Sequence, residues 1–305
     1  MRNAKTCILS MTKNDYFQYG KWFDYYSRHI APEDMYLLNN NSDAAFMAQV
    51  DPRISVMRVP DAYRTNNNLR DTHQLNDNFD GCRALLISDL TNGLLNYYDI
   101  VLYTDIDELI VPDPAVYGDL SGYLNQLDRS QVRCPVGVNV THMPQLEPNA
   151  FNPDDLITNQ RAYVGLAVEY SKPVIKTKRY QWCGGFHGCD AAFSLDRDLY
   201  LFHLKACDVG IRRTIHQQRH AEYNAHGKGD KTGWKLPADI IMARMSANLE
   251  KALFREGEGA LKSALEHIRI ARGNLGYYRA VYEPPTPLNG SWELFEIPER
   301  FRGLF

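Results

Sequence analysis

Apolar residues fall along this chain in two rhythms. From Thr6 to Leu9, Met35 to Leu38, Ile54 to Val59 and Ile100 to Leu102 they come in short runs that read as strands, the last as one buried on both faces of a parallel sheet. Between these runs the spacing is three to four residues. Tyr16 to Ile30 reads as an amphipathic helix, Ala44 to Val50 as a short one, and Phe79, Cys82, Leu86, Leu90 and Leu94 mark a third. Such alternation predicts an α/β fold with an open, mostly parallel sheet and helices on both faces, binding ligands at the carboxyl ends of its strands. The stretch from Asp61 to Asn78 is rich in Asn and poor in apolar residues, and is expected to form a loop over the site.

From about Gln131 the strands shorten and turn signals multiply, with candidates at Arg133 to Val140, Ala162 to Glu169 and Val174 to Tyr180. From Pro237 the rhythm becomes helical. Ile241, Met245, Leu249 and Leu253 make one stripe, and Leu261, Leu265 and Ile268 make another. The expected organisation is one catalytic domain over residues 1–235, its halves meeting near 115, followed by a helical C-terminal extension over 236–305. Those helices are expected to pack on the domain or to form a homodimer, and the tail from Pro284 to lie across the surface.

Composition narrows the class. A chain of 305 residues can bury a large core, and its net charge of −3 provides no basic field for nucleic acid. No signal sequence opens it and no apolar run approaches the roughly 18 residues of a bilayer span, so no integral membrane segment is expected. The expected location is cytoplasmic, with peripheral attachment at the inner face of the membrane compatible with that. Six scattered cysteines form no Cys-x-x-Cys pair, which argues against a zinc or disulfide framework and for a reducing compartment. No Gly-x-Gly-x-x-Gly or P-loop pattern supports a dinucleotide or ATPase reading.

The chemistry concentrates in Asp99-Ile-Val-Leu-Tyr-Thr-Asp-Ile-Asp-Glu108. Three acids, Asp105, Asp107 and Glu108, follow a buried strand. Backbone alternation at the end of a strand is expected to place Asp105 and Asp107 on one face and Glu108 on the other. Adjacent carboxylates repel unless a proton or cation lies between them, and oxygen ligands suit Mg²⁺ or Mn²⁺ shared with substrate phosphates. Leu109 stands where dehalogenase-type phosphatases want Thr or Val, and about a hundred residues precede the block, unlike their first-strand placement.

Several pieces together resemble the bacterial family-2-like GT-A glycosyltransferases: Thr12-Lys13-Asn14-Asp15, the aromatic helix around Trp22, Tyr36-Leu37-Leu38-Asn39-Asn40-Asn41-Ser42-Asp43, the run from Tyr103 to Asp113, and Phe202-His203-Leu204-Lys205. The resemblance covers roughly residues 5 to 208. It implies a GT-A, Rossmann-like domain, with residues 1–115 holding a nucleotide-sugar donor and 116–235 a saccharide acceptor. It implies Asp105, Asp107 and His203 as ligands of Mn²⁺ or Mg²⁺, imidazole favouring Mn²⁺. Thr12, Asn39, Asn41 and Asp43 would contact the nucleoside, although for Asn39 to Asp43 a plain turn and helix cap is an equal reading. Of the basic residues Lys172, Lys176, Lys178 and Arg179, Lys176 is singled out for the donor diphosphate because it sits inside a strand. His187 and Asp190, in a Gly-rich segment of the acceptor half, and Glu108 are the candidate catalytic groups, with Asp208 behind them. Arg212, Arg213, His216, Arg219 and His220 form a cationic cluster ahead of a lid-like stretch from Ala225 to Gly233. The implied activity is metal-dependent sugar transfer in surface glycan or polysaccharide synthesis. The alternatives are a nucleotidyl- or phosphotransferase with the same metal logic, or a non-catalytic nucleotide- or sugar-binding protein.

Overall fold

The computed structural model describes residues 4–59, 79–226, 235–273, 276–285, 288 and 291–305. The expected loop over the site and most of the lid-like stretch lie outside these residues.

The first apolar runs become β1 (Thr6–Thr12), β2 (Met35–Asn39), β3 (Ser55–Arg58) and β4 (Ile100–Tyr103). They are joined through α1 (Tyr16–Tyr26), α2 (Ala44–Met47) and α3 (Phe79–Leu94). Pairing is parallel throughout, in the order β3-β2-β1-β4. β4 is buried at every position, which explains its unbroken apolar run. The chain steps outward from β1 to β3 and then returns to the opposite side of β1. The crevice at the carboxyl ends of β1 and β4 is therefore the topological switch point, where open α/β sheets bind ligands.

After β4 a tight turn carries the chain into a second, mixed sheet. Its members here are β5 (Glu108–Pro112), β6 (Arg133–Val140) and β7 (Tyr163–Leu166), while the two-residue β8 (Ile175–Lys176) adds antiparallel to β4 in the first sheet. The long β9 (Ser194–His203) pairs antiparallel with β5 and parallel with β6. Short helices α4 (Pro114–Tyr117) and α5 (Leu120–Gln126) follow β5, and α6 (Ile157–Gln160) precedes β7. Beyond β9 runs α7 (Val209–His226).

The C-terminal segment departs from the helical expectation. It contains α8 (Ala238–Glu250) and α9 (Glu258–Leu265), but also β10 (Leu253–Arg255), the hairpin β11 (Ile268–Arg272) with β12 (Tyr278–Tyr282), and β13 (Glu293–Glu296). β13 adds antiparallel to β7 and β10 adds parallel to β13, giving the order β10-β13-β7-β6-β9-β5. The tail does not lie on the surface, because Phe301 and Phe305 are buried in the main core. Helical spacing holds for Leu249, Leu261 and Leu265, but Leu253 and Ile268 belong to strands that follow those helices. Among the described residues no helix is long and apolar enough to cross a membrane. All six cysteines are free, and all but Cys183 are buried.

Candidate active site

The acid block occupies the turn that joins the two sheets. The Glu108 N–H donates to the Asp105 carbonyl (3.0 Å), and the Asp105 N–H donates to Glu108 Oε2 (3.0 Å). The backbone is therefore not extended here, and two-residue alternation does not hold. Asp105 and Glu108 meet the same partner, contrary to the expectation that Asp105 and Asp107 form the shared face. The turn is pinned from below by the aromatic face of α1. Trp22 Nε1 donates to Thr104 Oγ1 (3.0 Å), Tyr25 OH donates to the Ile110 carbonyl (2.6 Å), and Tyr26 OH accepts from the Ile110 N–H (2.8 Å). These buried rings use their polar ends to fix the backbone on which the acids sit.

The shared partner is Lys172. Its Nζ lies 2.8 Å from Asp105 Oδ2 and 2.6 Å from Glu108 Oε1, and its side chain is only 2% exposed. Arg83, from α3, reaches Asp105 Oδ1 at 3.0 Å, and Tyr103 OH donates to that oxygen at 2.9 Å. Burial opposes ionisation of Asp105, yet Arg83 and Lys172 hold its carboxyl well below the usual range. Burial pushes Glu108 up while the ammonium opposes it; the two carboxylates raise Lys172 against its own burial, so the ammonium stays charged.

Lys172 reaches this position through a close approach of two backbones. A single 3₁₀ turn at Val168–Tyr170 packs directly on β6 at Gly137. A Cβ at Gly137 would lie 2.5 Å from the Tyr170 carbonyl carbon and 2.6 Å from the Ala167 oxygen. The Gly137 N–H donates to Ser171 Oγ (2.9 Å), which fixes the following lysine.

Asp107 and His203 form the other half of the site. Glu108 and His203 are cross-strand partners in the β5–β9 ladder, which brings together residues far apart in sequence. His203 Nε2 stands 3.6 Å from Asp107 Oδ2 and 3.8 Å from Glu108 Oε1. Burial, then Lys205 and Lys172, hold the imidazole well below its ordinary pKa, so it is neutral. Its Nδ1 is buried without a hydrogen-bond partner among the described residues. Burial and then Asp105 raise the Asp107 carboxyl. The His203 ring lies against Tyr170 (4.9 Å between centroids), and Lys205 Nζ sits 3.8 Å over the Tyr170 ring and contacts its hydroxyl. Burial, followed by Arg212, lowers Lys205 to about 8.

A divalent ion fits part of this arrangement. Asp107 and His203 present an anionic oxygen and a neutral nitrogen too far apart to hydrogen-bond, facing one another at a spacing that two ligands of one ion can share. Asp105, the third expected ligand, has both oxygens engaged by cations and is not free. Among the described residues no group of three or more His, Cys, Asp or Glu side chains converges as an ion site. The described residues therefore offer two ligands, which matches an ion completed by ligand phosphates and water.

The remaining predicted residues are dispersed. Thr12 Oγ1 donates to Asp15 Oδ2, and the β1 and β2 ends are knitted by Asn14, whose side chain accepts from the Asp43 N–H. Asn39 Oδ1 accepts from the Ser42 N–H, Asn41 takes a left-handed φ of 58°, and Asp43 caps α2 by accepting from Phe46 N–H. These residues perform the turn-and-cap role, at the carboxyl ends of β1 and β2 that flank the switch point. Lys176, chosen for the diphosphate, instead buries its ammonium against α3, 2.9 Å from Thr91 Oγ1 and 4.2 Å from the Trp182 ring centre. Its β8 position faces the helix, and none of its contacts is with the acids. His187 Nδ1 donates to the Glu169 carbonyl, and its ring lies edge-on to Tyr170. Gly185, at φ 74°, passes so near that a Cβ would lie 2.8 Å from His187 Nε2. Asp190 is exposed and closes a hairpin by accepting from the Gln181 N–H (2.8 Å). Asp208 caps α7 and pairs with Arg161 (3.2 Å). Sequence reasoning does not single out Lys172, Arg83, Tyr170 or Lys205 for this site. Lys172 belongs to the basic run from which Lys176 is chosen, and nothing local in the sequence sets it above its neighbours.

No family model matches the sequence, and no curated protein does. Among solved structures the chain is similar to the galactosyltransferase LgtC in complex with donor and acceptor sugar analogs, at 14% identity and a TM-score of 0.24, over 49% of this chain and 54% of that one. It is similar to the apo bifunctional glycosyltransferase WbbM at 16% and 0.26, over 48% and 24% of the two chains. It is also similar to the mannose-1-phosphate geranyltransferase from Thermus thermophilus at 11% and 0.27, over 79% and 68%. The chain thus spans about half the length of the first and a quarter of the second. Likeness at this level carries no argument about the reaction, which rests on the site.

Proposed function

We propose that this protein is a GT-A-type glycosyltransferase that moves a sugar from a nucleoside-diphosphate donor to a hydroxyl acceptor of saccharide type. The observation that carries the proposal is the pairing of Asp107 with His203 at the switch-point crevice, bordered by the Lys205 ammonium. In this reading the crevice would receive the nucleotide, Asp107 and His203 would hold Mn²⁺ or Mg²⁺, and Lys205 with Arg212 would add positive charge where the diphosphate would accumulate negative charge. A bound ion would supply Lewis-acid stabilisation of the departing nucleoside diphosphate, worth several kcal/mol. The neutral imidazole of His203 makes Mn²⁺ the better match.

Titration of UDP, GDP and their sugars against the full chain, with and without Mn²⁺, tests the proposal. The expected result is binding that requires Mn²⁺ and turnover that releases a nucleoside diphosphate. Asp107→Asn and His203→Ala, folded by circular dichroism, are each expected to lose at least the roughly 10–100-fold in ion affinity typical of changes one shell further out. Release of pyrophosphate would reassign the protein as a nucleotidyltransferase. Absence of nucleotide binding under all conditions would remove the transferase reading.

A further inference from the structure

The acid block holds more negative charge than a two-ligand ion site needs, and the structure neutralises the surplus internally. Glu108 is fully buried and Asp105 about one-fifth exposed, and both lean on one ammonium that is itself inaccessible. Arg83, stacked over Phe186 with its guanidinium carbon 4.9 Å from the ring centre, takes the outer oxygen of Asp105. Asp107 faces His203 instead of a cation within hydrogen-bonding reach. Lys172 is delivered by the turn packed on Gly137, so its position belongs to the fold and is not a surface side chain's choice.

Building on the transferase reading above, we infer that Lys172 is an internal counter-ion that withholds Asp105 and Glu108 from a divalent ion. Charge–charge energy grows as distance and local dielectric constant fall, so a buried ammonium in contact with both acids opposes a second cation in the same space. Among the described residues Asp107 and His203 would be left to hold the ion. Two ligands would bind it weakly, and phosphates of the donor would be needed to complete the set. Lys172 thereby makes ion binding conditional on the nucleotide, acting as a positioning residue through the two acids it holds.

Calorimetric titration of Mn²⁺ into the full chain, first without nucleotide, tests this. Lys172→Met is expected to tighten nucleotide-free Mn²⁺ binding by about tenfold or more, because it frees Asp105 Oδ2 and Glu108 Oε1 and removes a competing charge, while Arg83 keeps Asp105 Oδ1; Lys172→Arg is expected to stay near wild type. A folded Lys172→Met protein with unchanged Mn²⁺ affinity would overturn the inference. That variant leaves Glu108 buried without its partner and is at risk of unfolding, so a second pair of variants decides independently. Asp105→Asn is expected to keep Mn²⁺ affinity within about threefold of wild type, with or without nucleotide, whereas Asp107→Asn loses at least about tenfold. Equal losses in both would make Asp105 a ligand and overturn the inference. Failure of the transferase reading is recognised separately, as wild-type protein that binds no nucleotide while the Lys172 and Asp105 comparisons still hold.

Discussion

Lys176 and Lys172 are four residues apart, and both are buried, yet they face opposite circumstances. Lys172 meets two carboxylates. Lys176 meets Thr91, the Ser88 carbonyl and the faces of Trp182 and Tyr180, with Asp89, Asp190 and Cys189 only as more distant influences. Burial lowers its pKa to about 7 from 10.5. Between these values the unfolded chain carries a proton that the folded protein does not, so this lysine makes stability rise with pH across that window and withdraws it as pH falls through 7. Lys176→Met is expected to be more stable than wild type near pH 7 by about 1–3 kcal/mol and to flatten the rise towards pH 9. Chemical denaturation at pH 7 and pH 9 measures both. A variant less stable at pH 7 would mean that the ammonium's contact with Thr91 and the rings outweighs its desolvation.

At the scale of elements, the site depends on how closely the Val168–Tyr170 turn approaches β6. Gly137 is the residue that permits it, since any side chain there would overlap the backbone at Ala167, Tyr170 and Ser171. Gly137→Ala is expected to cost about 1–3 kcal/mol, as overpacking does, and to displace Lys172 and Tyr170 together. The predicted signature is a lower melting temperature with a change in whatever Mn²⁺ or nucleotide affinity the wild type shows, although Gly137 belongs to neither the acid block nor the Asp107–His203 pair. Lost stability with unaltered ligand affinity would show that the turn relaxes without moving Lys172. The aromatic face of α1 is the counterpart on the other side: three polar ring ends hold the turn at Thr104, Glu108 and Ile110, which accounts for Trp22, Tyr25 and Tyr26 being both aromatic and buried.

Across the whole molecule, the C-terminal residues close the structure. Phe301 packs edge-on to Tyr200 (5.3 Å) and against Phe202 (5.7 Å), while Phe305 packs against Phe202 (4.9 Å) and its carbonyl accepts from Thr158 N–H (3.0 Å). Arg300 grips Asp113 through two 2.8 Å bonds, tying the tail to the end of β5. Tyr200 and Phe202 lie on β9, the strand that ends in His203, so the tail buttresses the strand carrying the imidazole. Phe301→Ala is expected to cost about 3–5 kcal/mol in urea unfolding, the usual range for a buried aromatic. A loss below about 1 kcal/mol, far under that range, would show that the tail is an independent appendage.

The elements around the first sheet are legible because their causes are local. Unbroken apolar runs mark strands covered on both faces, and β1, β2, β4, α1 and α3 fall where that rhythm places them; β6 is marked by its length and bounding turn signals. The acid block can be found for the same reason, as polar residues in sequence directly after a buried strand. Which acid meets which cation cannot. That depends on a turn that suspends strand alternation, on a ladder register that sets Glu108 opposite His203, and on a glycine that lets Lys172 come close. Each of the last two joins residues tens of positions apart. The C-terminal strands escape the pattern for a related reason: β10, at the sheet edge, and β13, between it and β7, are short pieces specified by the neighbours they pair with more than by any period of their own. Local pattern decided the elements and the kind of chemistry, and tertiary packing decided the partners, because charge pairing acts through space.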